Sequence, residues 1–178
     1  LGLFSVASGL DPPEKMWEET YSYSGGNCFY DICMTADGNL AIASGNVFLM
    51  DPEGAVIWSA EDSSLYAHGS RDIDEIAGQS AYICTGLCKV ESDDTYGLYL
   101  QRIDEYGTVN WTRVYDYPDT REEGYSITLL PDGGYAVCGR VFGEGVDLGQ
   151  AWILRTDANG DTLWTDVWGT TTYNYAVG

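Results

Sequence analysis

The stretch Asp157-Ala158-Asn159-Gly160-Asp161 has the side-chain types that could bind a divalent cation. Carboxylate and amide oxygens are the ligands that calcium prefers, but the common calcium loop has glycine at its sixth position and a bidentate glutamate farther along. Here glycine is fourth, and the stretches that begin at Asp51 and Asp104 read Asp-Pro-Glu-Gly-Ala and Asp-Glu-Tyr-Gly-Thr. A tight turn explains all three stretches, whereas calcium explains one. We therefore expect turns without a cofactor, with calcium as the less favoured alternative.

Two further sets of side chains are compatible with catalysis. His68, Ser70 and Asp72 are the residue types of a nucleophilic triad, but the sequence lacks the strained turn that exposes such a nucleophile. Paired carboxylates hydrolyse glycosidic bonds, although adjacency in sequence does not determine their separation in space. We expect the pairs of this chain to be exposed charges in loops or at strand edges: Glu18-Glu19, Asp93-Asp94 and Glu122-Glu123. The sequence predicts no catalytic residue and no enzymatic activity.

The chain has an odd number of cysteines, so at least one is unpaired: Cys28, Cys33, Cys84, Cys88 and Cys138. We expect Cys84 and Cys138 to occupy equivalent positions of an internal repeat as small buried side chains, where the first copy has Ala43. Disulfides between Cys28 and Cys33, or between Cys84 and Cys88, remain open alternatives. With one histidine in the chain, the sequence contains no convincing zinc site.

Composition limits the partners. The formal net charge is −20, with 28 acidic residues against 8 lysines and arginines, so nucleic acids and anionic membrane surfaces are disfavoured. The acidic surface favours solubility, with cation binding as the alternative. Hydrophobic residues make up 44% of the chain, enough for a core, yet no stretch reaches the ~20 apolar residues of a membrane-spanning helix. Residues 1–9 have the apolar and small residues of the end of a secretory signal, or alternatively form a native strand; the former predicts a secreted or cell-surface protein.

The elements that position these residues are copies of one unit. The pattern D-x-x-G-x-x-x-W occurs three times with a spacing of 53 residues, and a fixed period indicates a repeat architecture. Aspartate can accept backbone hydrogen bonds in such a turn, and glycine adopts the left-handed conformation that the turn requires. Asp132-Gly133 marks an earlier turn of the third copy, as Asp37-Gly38 does in the first. The repeat positions are Asp51, Gly54 and Trp58, then Asp104, Gly107 and Trp111, then Asp157, Gly160 and Trp164.

Each copy divides into four short segments rich in β-branched and aromatic residues, which is typical of strands. The predicted strands are 30–35, 40–44, 47–50 and 55–58, then 71–75, 81–85, 98–103 and 108–111, then 125–130, 135–139, 151–156 and 161–168. The second and third strands are apolar at nearly every position and must be covered on both faces. Four-stranded antiparallel sheets stacked between similar sheets satisfy this requirement, as in the blades of a β-propeller.

Two stretches resemble a known group of proteins. Asp132-Gly133-Gly134-Tyr135 and the run from Arg155 to Trp164 are similar to the tandem repeats of secreted bacterial β-propeller proteins. The resemblance covers about residues 16–178 and implies an extracellular or cell-surface location. It supplies no catalytic motif, so we expect a binding or structural module. Residues 37–42 and 51–59 also resemble a bulb-type lectin repeat without its mannose-binding motif. A lectin-like carbohydrate-binding protein, or part of a propeller enzyme with its active site elsewhere, is therefore the alternative.

The predicted organisation is an all-β chain with three complete blades and parts of flanking ones. The ranges are 1–9 for the signal remnant, 10–27 for a lone outer strand with Trp17 and a linker, 28–60, 61–117 and 118–168 for the blades, and 169–178 for the start of another blade. Closed propellers have about 4–8 blades. We expect further blades from the same protein or from other copies of the chain, with an open three-sheet stack as the alternative.

A ligand surface is predicted from the insertions of the repeat. The long connections between the second and third strands, at 89–97 and 142–149, lie on one edge of the blades and could contact a protein or glycan ligand. Tyrosines near the predicted turns and strand ends could stack on sugars, although packing between blades is the favoured interpretation: Tyr21, Tyr23, Tyr66, Tyr96, Tyr115 and Tyr117.

Overall fold

The computed structural model describes residues 28–60, 65–89, 95–116, 120–143 and 149–169, with only the backbone at 66–68. These residues form twelve strands and no helix. The strands are β1 (Asp31–Met34), β2 (Leu40–Ala43), β3 (Val47–Met50), β4 (Val56–Ala60), β5 (Tyr66–Ile76), β6 (Ala81–Lys89), β7 (Tyr96–Asp104), β8 (Val109–Tyr115), β9 (Arg121–Leu129), β10 (Tyr135–Phe142), β11 (Gln150–Thr156) and β12 (Thr162–Trp168).

Several sequence predictions lie outside this part of the chain. They are the signal remnant at 1–9, the lone strand with Trp17, the segment 169–178 beyond its first residue, the pairs Glu18-Glu19 and Asp93-Asp94, and Tyr21, Tyr23 and Tyr117.

The strands pair into three four-stranded antiparallel sheets, each in chain order. The prediction of an all-β chain with three such units is therefore confirmed. The first strands of the second and third sheets are longer than predicted, because β5 and β9 begin at Tyr66 and Arg121 rather than at Arg71 and Tyr125. Bulges interrupt the pairing of β5 with β6 between Tyr66 and Gly69 and between Ser70 and Asp72. Such bulges let the strand continue while it bends.

Each sheet has two distinct ends. The turn end has the tight turns that join the first strand to the second and the third to the fourth, with left-handed glycines such as Gly38, Gly54 and Gly133. The loop end has the connections between the second and third strands, which include the insertions near residues 89–97 and 142–149. This arrangement places side chains at the beginning of β5 and β9 near both insertions.

The sheets stack face to face through two apolar interfaces. The first and second sheets share a cluster that includes Ala41, Leu49 and Tyr99, while the second and third share one that includes Leu98 and Trp152. As predicted, β6 and β7 are covered on both faces. Burial of one such large side chain stabilises the fold by ~1.5–3 kcal/mol, so stacking is the main source of stability. The described sheets do not close into a ring.

The structure corrects the predicted equivalence of two cysteines. Tyr82 and Tyr135 occupy the same position, since Trp58 and Trp111 contact them across the two interfaces. This register aligns Cys84 with Val137, and Cys138 with Thr85. Cys84 is fully buried toward the first sheet, whereas Cys138 lies on the opposite face of β10 and is half-buried. The predicted alignment of Cys84 with Cys138 was shifted by one residue. Such a shift reverses the face of the sheet on which a side chain lies.

The cysteines are thiols in this structure. Cys84 and Cys88 are four residues apart within strand β6, which separates their Cα atoms by about 13 Å at the usual rise of an extended strand. A disulfide requires Cα atoms about 4.4–6.8 Å apart. The alternative of a Cys84–Cys88 disulfide is therefore wrong.

Candidate functional site

The stretch that resembled a calcium loop closes a turn. Asp157 Oδ1 accepts hydrogen bonds from the backbone amides of Asn159 and Asp161, at 2.8 and 2.9 Å. These bonds lower the pKa of the Asp157 carboxyl, because they stabilise its charged form. Asp51 and Asp104 accept equivalent backbone bonds in their own turns. Within the part of the chain that the structure describes, no three potential ligands from His, Cys, Asp and Glu come together to hold a metal.

The glycine and tryptophan of the repeat meet between neighbouring sheets. Gly107 has a φ of +82°, and a β-carbon there would lie 2.9 Å from a ring atom of Trp58 in the preceding sheet. Trp58 also donates its Nε1–H to the carbonyl oxygen of Glu105, at 2.9 Å. Gly160 has a φ of +81° and lies under Trp111 in the same way. The repeat positions therefore join sheets rather than bind a ligand.

The other predicted turn positions also have structural roles. Asp132 accepts a hydrogen bond from the amide of Gly134, and its other oxygen accepts one from Arg155. Gly133 has a φ of +86°, as the turn requires. In the second copy Gly78 takes the same conformation, with a φ of +74°, although the preceding aspartate is missing there. These contacts leave the turn end without a cluster of reactive groups among the residues that the structure places.

Two of the three residue types of a triad, Ser70 and Asp72, make separate contacts. The hydroxyls of Ser70 and Tyr99 are 2.6 Å apart in the buried interface between the first two sheets. Asp72 Oδ2 accepts a hydrogen bond from the backbone amide of Ile127, at 2.6 Å. The side chain of His68 lies outside the described atoms. The Ser70 hydroxyl thus contacts Tyr99 of its own sheet, whereas Asp72 joins the second sheet to the third.

The prediction that Glu122 and Glu123 are exposed charges is wrong. Both lie in β9, where their exposed fractions are 0% and 6%. Glu123 accepts a hydrogen bond from the hydroxyl of Tyr125 at 2.7 Å and forms an ion pair with Arg121. A second guanidinium, that of Arg71, lies 3.8 Å away. The error arose because the predicted strand began at Tyr125, which left the two glutamates in a loop.

The sequence analysis missed a series of hydrogen bonds that connects the first strands of neighbouring sheets. Asp31, Asp72 and Ser126 occupy equivalent positions of β1, β5 and β9. Asp31 Oδ2 accepts the amide hydrogen of Ile73 at 3.2 Å, just as Asp72 accepts that of Ile127. The available signal was the dipeptide Asp-Ile, which occurs at the same position in two copies.

The carboxyl of Asp31 affects the protonation of Asp72 in this series of hydrogen bonds. Burial and the neighbouring Asp31 together raise the pKa of Asp72 to about 6, although hydrogen bonds from Ser126 and Ile127 oppose the shift. Burial and Asp31 also raise the pKa of Asp74. Like charges in a poorly hydrated space favour a protonated form. This region can therefore take up a proton in mildly acidic solution.

Arginines and aromatic rings gather at the loop end. Arg71 lies over the rings of Tyr30 and Tyr125, with distances of 5.0 and 5.5 Å from its Cζ to the ring centroids. These three residues precede Asp31, Asp72 and Ser126: Arg71 and Tyr125 lie in the first strands of the second and third sheets, and Tyr30 lies directly before that of the first. The Tyr30 side chain is 50% exposed, which leaves one face of this stack open to solvent.

A second stack lies beside the first. The Cζ of Arg121 is 4.9 Å from the ring centroid of Tyr96 and 5.7 Å from that of Phe142. Arg140 lies over the same Phe142 ring at 4.1 Å. We call the two stacks together the arginine–aromatic surface; it consists of Tyr30, Arg71, Tyr96, Arg121, Tyr125, Arg140 and Phe142.

The arginine–aromatic surface has an unusual charge for this acidic chain. It contains three of the eight lysines and arginines, and the adjacent carboxylates are Glu122 and Glu123. Glu123 holds two of the guanidinium groups in place. The surface adjoins both insertions that the sequence predicted as ligand-contacting, at the ends of β6 and β10. It could contact a ligand through planar N–H groups and ring faces.

Comparisons with known proteins do not assign a family. No family model matches the chain. A membrane protein insertase YidC from Chlorobaculum parvum is 24% identical over 129 residues, which cover 72% of this chain and 19% of that protein. The chain thus spans about a fifth of the length of that curated relative. No helix that could span a membrane is found in the described ranges.

A protein of unknown function from Bacteroides caccae has a solved structure with a TM-score of 0.34 and 10% identity, over 83% of this chain and 84% of that one. This score is too low to carry an argument about the fold.

Proposed function

We propose that this chain is a segment of a β-propeller-type protein that acts outside the cell or at its surface as a non-catalytic binding module. The observation that carries the proposal is the arginine–aromatic surface at the loop end. Stacked four-stranded sheets hold it there, and loops on a rigid scaffold are common sites of binding. The repeated turns and inter-sheet tryptophans support the propeller-type arrangement.

The chemistry of this surface favours a short glycan that has a carboxylate or sulfate group. Guanidinium groups form paired hydrogen bonds with planar oxyanions, and exposed tyrosine rings offer apolar faces with a polar edge. A long polyanion is disfavoured, because it would extend past the local positive charge onto the rest of a chain with a net charge of −20, where carboxylates within about 8 Å repel it at physiological ionic strength. A ligand of a few sugar units contacts the local positive charge without crossing the acidic surface.

The guanidinium groups of this surface are held in fixed positions. This supports recognition of a specific ligand rather than nonspecific attraction of anions. Glu123 is 6% exposed and pairs with both Arg71 and Arg121. Each guanidinium also rests on an aromatic ring, which limits its rotamers. Such fixed groups lose less conformational entropy when a ligand binds than freely rotating side chains do. The arrangement therefore favours a defined ligand geometry.

A glycan array that includes acidic and neutral oligosaccharides tests this proposal. We expect binding to acidic members that decreases at least tenfold in the double variant Arg121→Gln/Arg140→Gln, measured at a temperature where circular dichroism shows both proteins to be fully folded. Arg113→Gln is the matched control, because Arg113 is also exposed and also stacks on a ring, that of Trp111, but lies away from the arginine–aromatic surface. A blank array, or equal loss of binding in the control, would contradict the proposal.

The extracellular location needs a separate test. The resemblance to secreted repeat proteins and the apolar residues 1–9 support it. Fractionation of the source cells, with an antibody against this chain, should find the protein in the medium or at the cell surface. Its recovery only from the interior of the cell would be evidence against this part of the proposal.

A further inference from the structure

We call the contact of a repeat tryptophan with the glycine and tyrosine of the next sheet a joint. The two joints use equivalent positions of the repeat. Trp58 covers Gly107 and contacts Tyr82, with ring centroids 5.4 Å apart. Trp111 covers Gly160 and contacts Tyr135, with centroids 6.2 Å apart. The third tryptophan of the series, in β12, is 51% exposed. Two copies of the joint are thus complete, and the third presents its tryptophan to solvent.

The whole face around the third tryptophan follows the same pattern. In the second sheet the side chains of this face are 0% exposed, because the third sheet covers them: Ile83, Thr85, Leu98 and Leu100. Their equivalents in the third sheet are all half-buried: Ala136, Cys138, Ala151 and Ile153. Trp168, 48% exposed, is the equivalent of Tyr115, whose hydroxyl donates a hydrogen bond to the carbonyl oxygen of Gly160. We call this set, together with Trp164, the outer face of the third sheet.

We infer that the outer face of the third sheet receives a fourth unit of the same repeat, supplied by the polypeptide that continues from β12. The turn glycine of that unit lies under Trp164, and its equivalent of Tyr135 contacts the indole edge. The inference deepens the proposed function, since it rests on the propeller-type stacking, and it names the neighbour that the binding module requires. Covering this face removes two large indole rings from water, which stabilises the stacked arrangement.

A second copy of the chain is a less suitable occupant. To reproduce the contact of the repeat, it would have to offer the outer face of its first sheet, where Ile42, Phe48 and Met50 are already buried, with exposed fractions of 5%, 1% and 2%. Two chains with a net charge of −20 also repel each other. A unit in the same polypeptide avoids both difficulties, because it is held at high local concentration.

The charge that faces the turn of the next sheet predicts one residue type of the fourth unit. At the second joint Arg113 lies 3.9 Å from Asp161, the residue after the turn glycine. The equivalent of Arg113 in the third sheet is Asp166, which is exposed. An acidic residue after the turn glycine of the fourth unit would therefore face a like charge. We expect a neutral or basic residue at that position, as Thr108 is in the second sheet.

The test compares the chain that ends at Gly178 with the natural polypeptide extended by its next repeat unit. We expect Trp164→Ala to change the urea midpoint of the shorter chain little, and to lower that of the extended chain about as much as Trp111→Ala does. Acrylamide quenching of Trp164 fluorescence should fall at least twofold on extension. Leu163→Ala is the matched control, since Leu163 is 58% exposed and its equivalent Ile57 stays 50% exposed although the second sheet covers the first; it should have a small effect in both chains.

Three outcomes would overturn the inference. They are a natural polypeptide in which no Asp-x-x-Gly unit follows β12, a Trp164 that stays equally quenched after extension, and a dimer of the shorter chain that Trp164→Ala dissociates in sedimentation. The last outcome would assign the face to a second copy. Glycan binding at the arginine–aromatic surface is measured on the same samples, so that loss of the proposed function is distinguished from loss of this contact.

Discussion

The indole of Trp58 lies directly on Gly107, a residue of the next sheet that is 49 positions later in the chain. A β-carbon on Gly107 would approach a ring atom of Trp58 to 2.9 Å, and the φ of Gly107 is +82°. The same contact recurs between Trp111 and Gly160. The glycine is therefore required twice, by its own turn and by the neighbouring sheet, and this double requirement explains why tryptophan and glycine recur together.

The first prediction concerns this double requirement. Gly107→Ala should destabilise the protein more than Gly38→Ala, because Gly38 has a similar φ of +89° but open space where its β-carbon would lie. The strained φ should cost about 1 kcal/mol in both variants, and the contact with Trp58 adds to this in the first. Urea unfolding measures both values. Equal losses would mean that Trp58 moves away freely.

The second prediction concerns Asp72, whose pKa is raised to about 6 from an ordinary value of 3.8. A carboxyl whose pKa is raised by folding contributes stability below its unfolded pKa, and this stability is lost as the pH rises through the folded value. The contribution of Asp72 should therefore decline between about pH 4 and pH 6. Asp72→Asn cannot ionise, so its stability relative to the unchanged protein should increase over this range.

The partner of Asp72 provides the control for the titration. Asp31 raises the pKa of Asp72 through a hydrogen bond and through its charge. In the variant Asp31→Asn, the carboxyl of Asp72 should titrate at a lower pH, as followed by carbon-detected NMR. An unchanged titration of Asp72 in that variant would show that burial alone sets its pKa.

The third prediction concerns Asp104, whose contribution to stability should change with pH in the opposite direction to that of Asp72. Backbone hydrogen bonds from Thr108 and Tyr106 lower the pKa of the Asp104 carboxyl below its ordinary value. A lowered pKa contributes stability above the unfolded pKa of about 3.9, and this is lost as the pH falls through the folded value. Asp104→Asn should lower the thermal midpoint at pH 7 and have less effect at pH 2.5. An equal effect at both values would indicate that charge is unimportant in this turn.

The fourth prediction concerns thiol reactivity. Cys28 is exposed, whereas burial raises the pKa of Cys84 to about 12 and that of Cys33 to about 11. The thiolate is the reactive form, so at pH 8 a disulfide reagent should modify Cys28 first. Cys84 should react only as fast as the protein unfolds. Cys28→Ser should abolish the fast phase; a fast phase that persists in this variant would contradict the order.

The local pattern of the sequence was sufficient for the strands and their turns. The twelve strands were predicted from short runs of apolar and β-branched residues, and turn residues such as Asp104 and Gly107 marked their ends. This was possible because strand alternation and turn conformation depend on residues only a few positions apart. The limits of β9 were wrong for the same reason, since the ion pair of the buried Glu123 with Arg71 joins residues far apart in sequence.

The sequence by itself determined an all-β chain made of three four-stranded units, together with the glycines that close its turns. Only the tertiary structure decided how these units meet: the buried side of Cys84, the carboxyl of Asp72 on the amide of Ile127, and the gathering of arginines at the loop end. The physical reason is that contacts between sheets join residues some 24–55 positions apart. Their register depends on the stacking of two complete faces, and a shift of one residue reverses which face a side chain occupies.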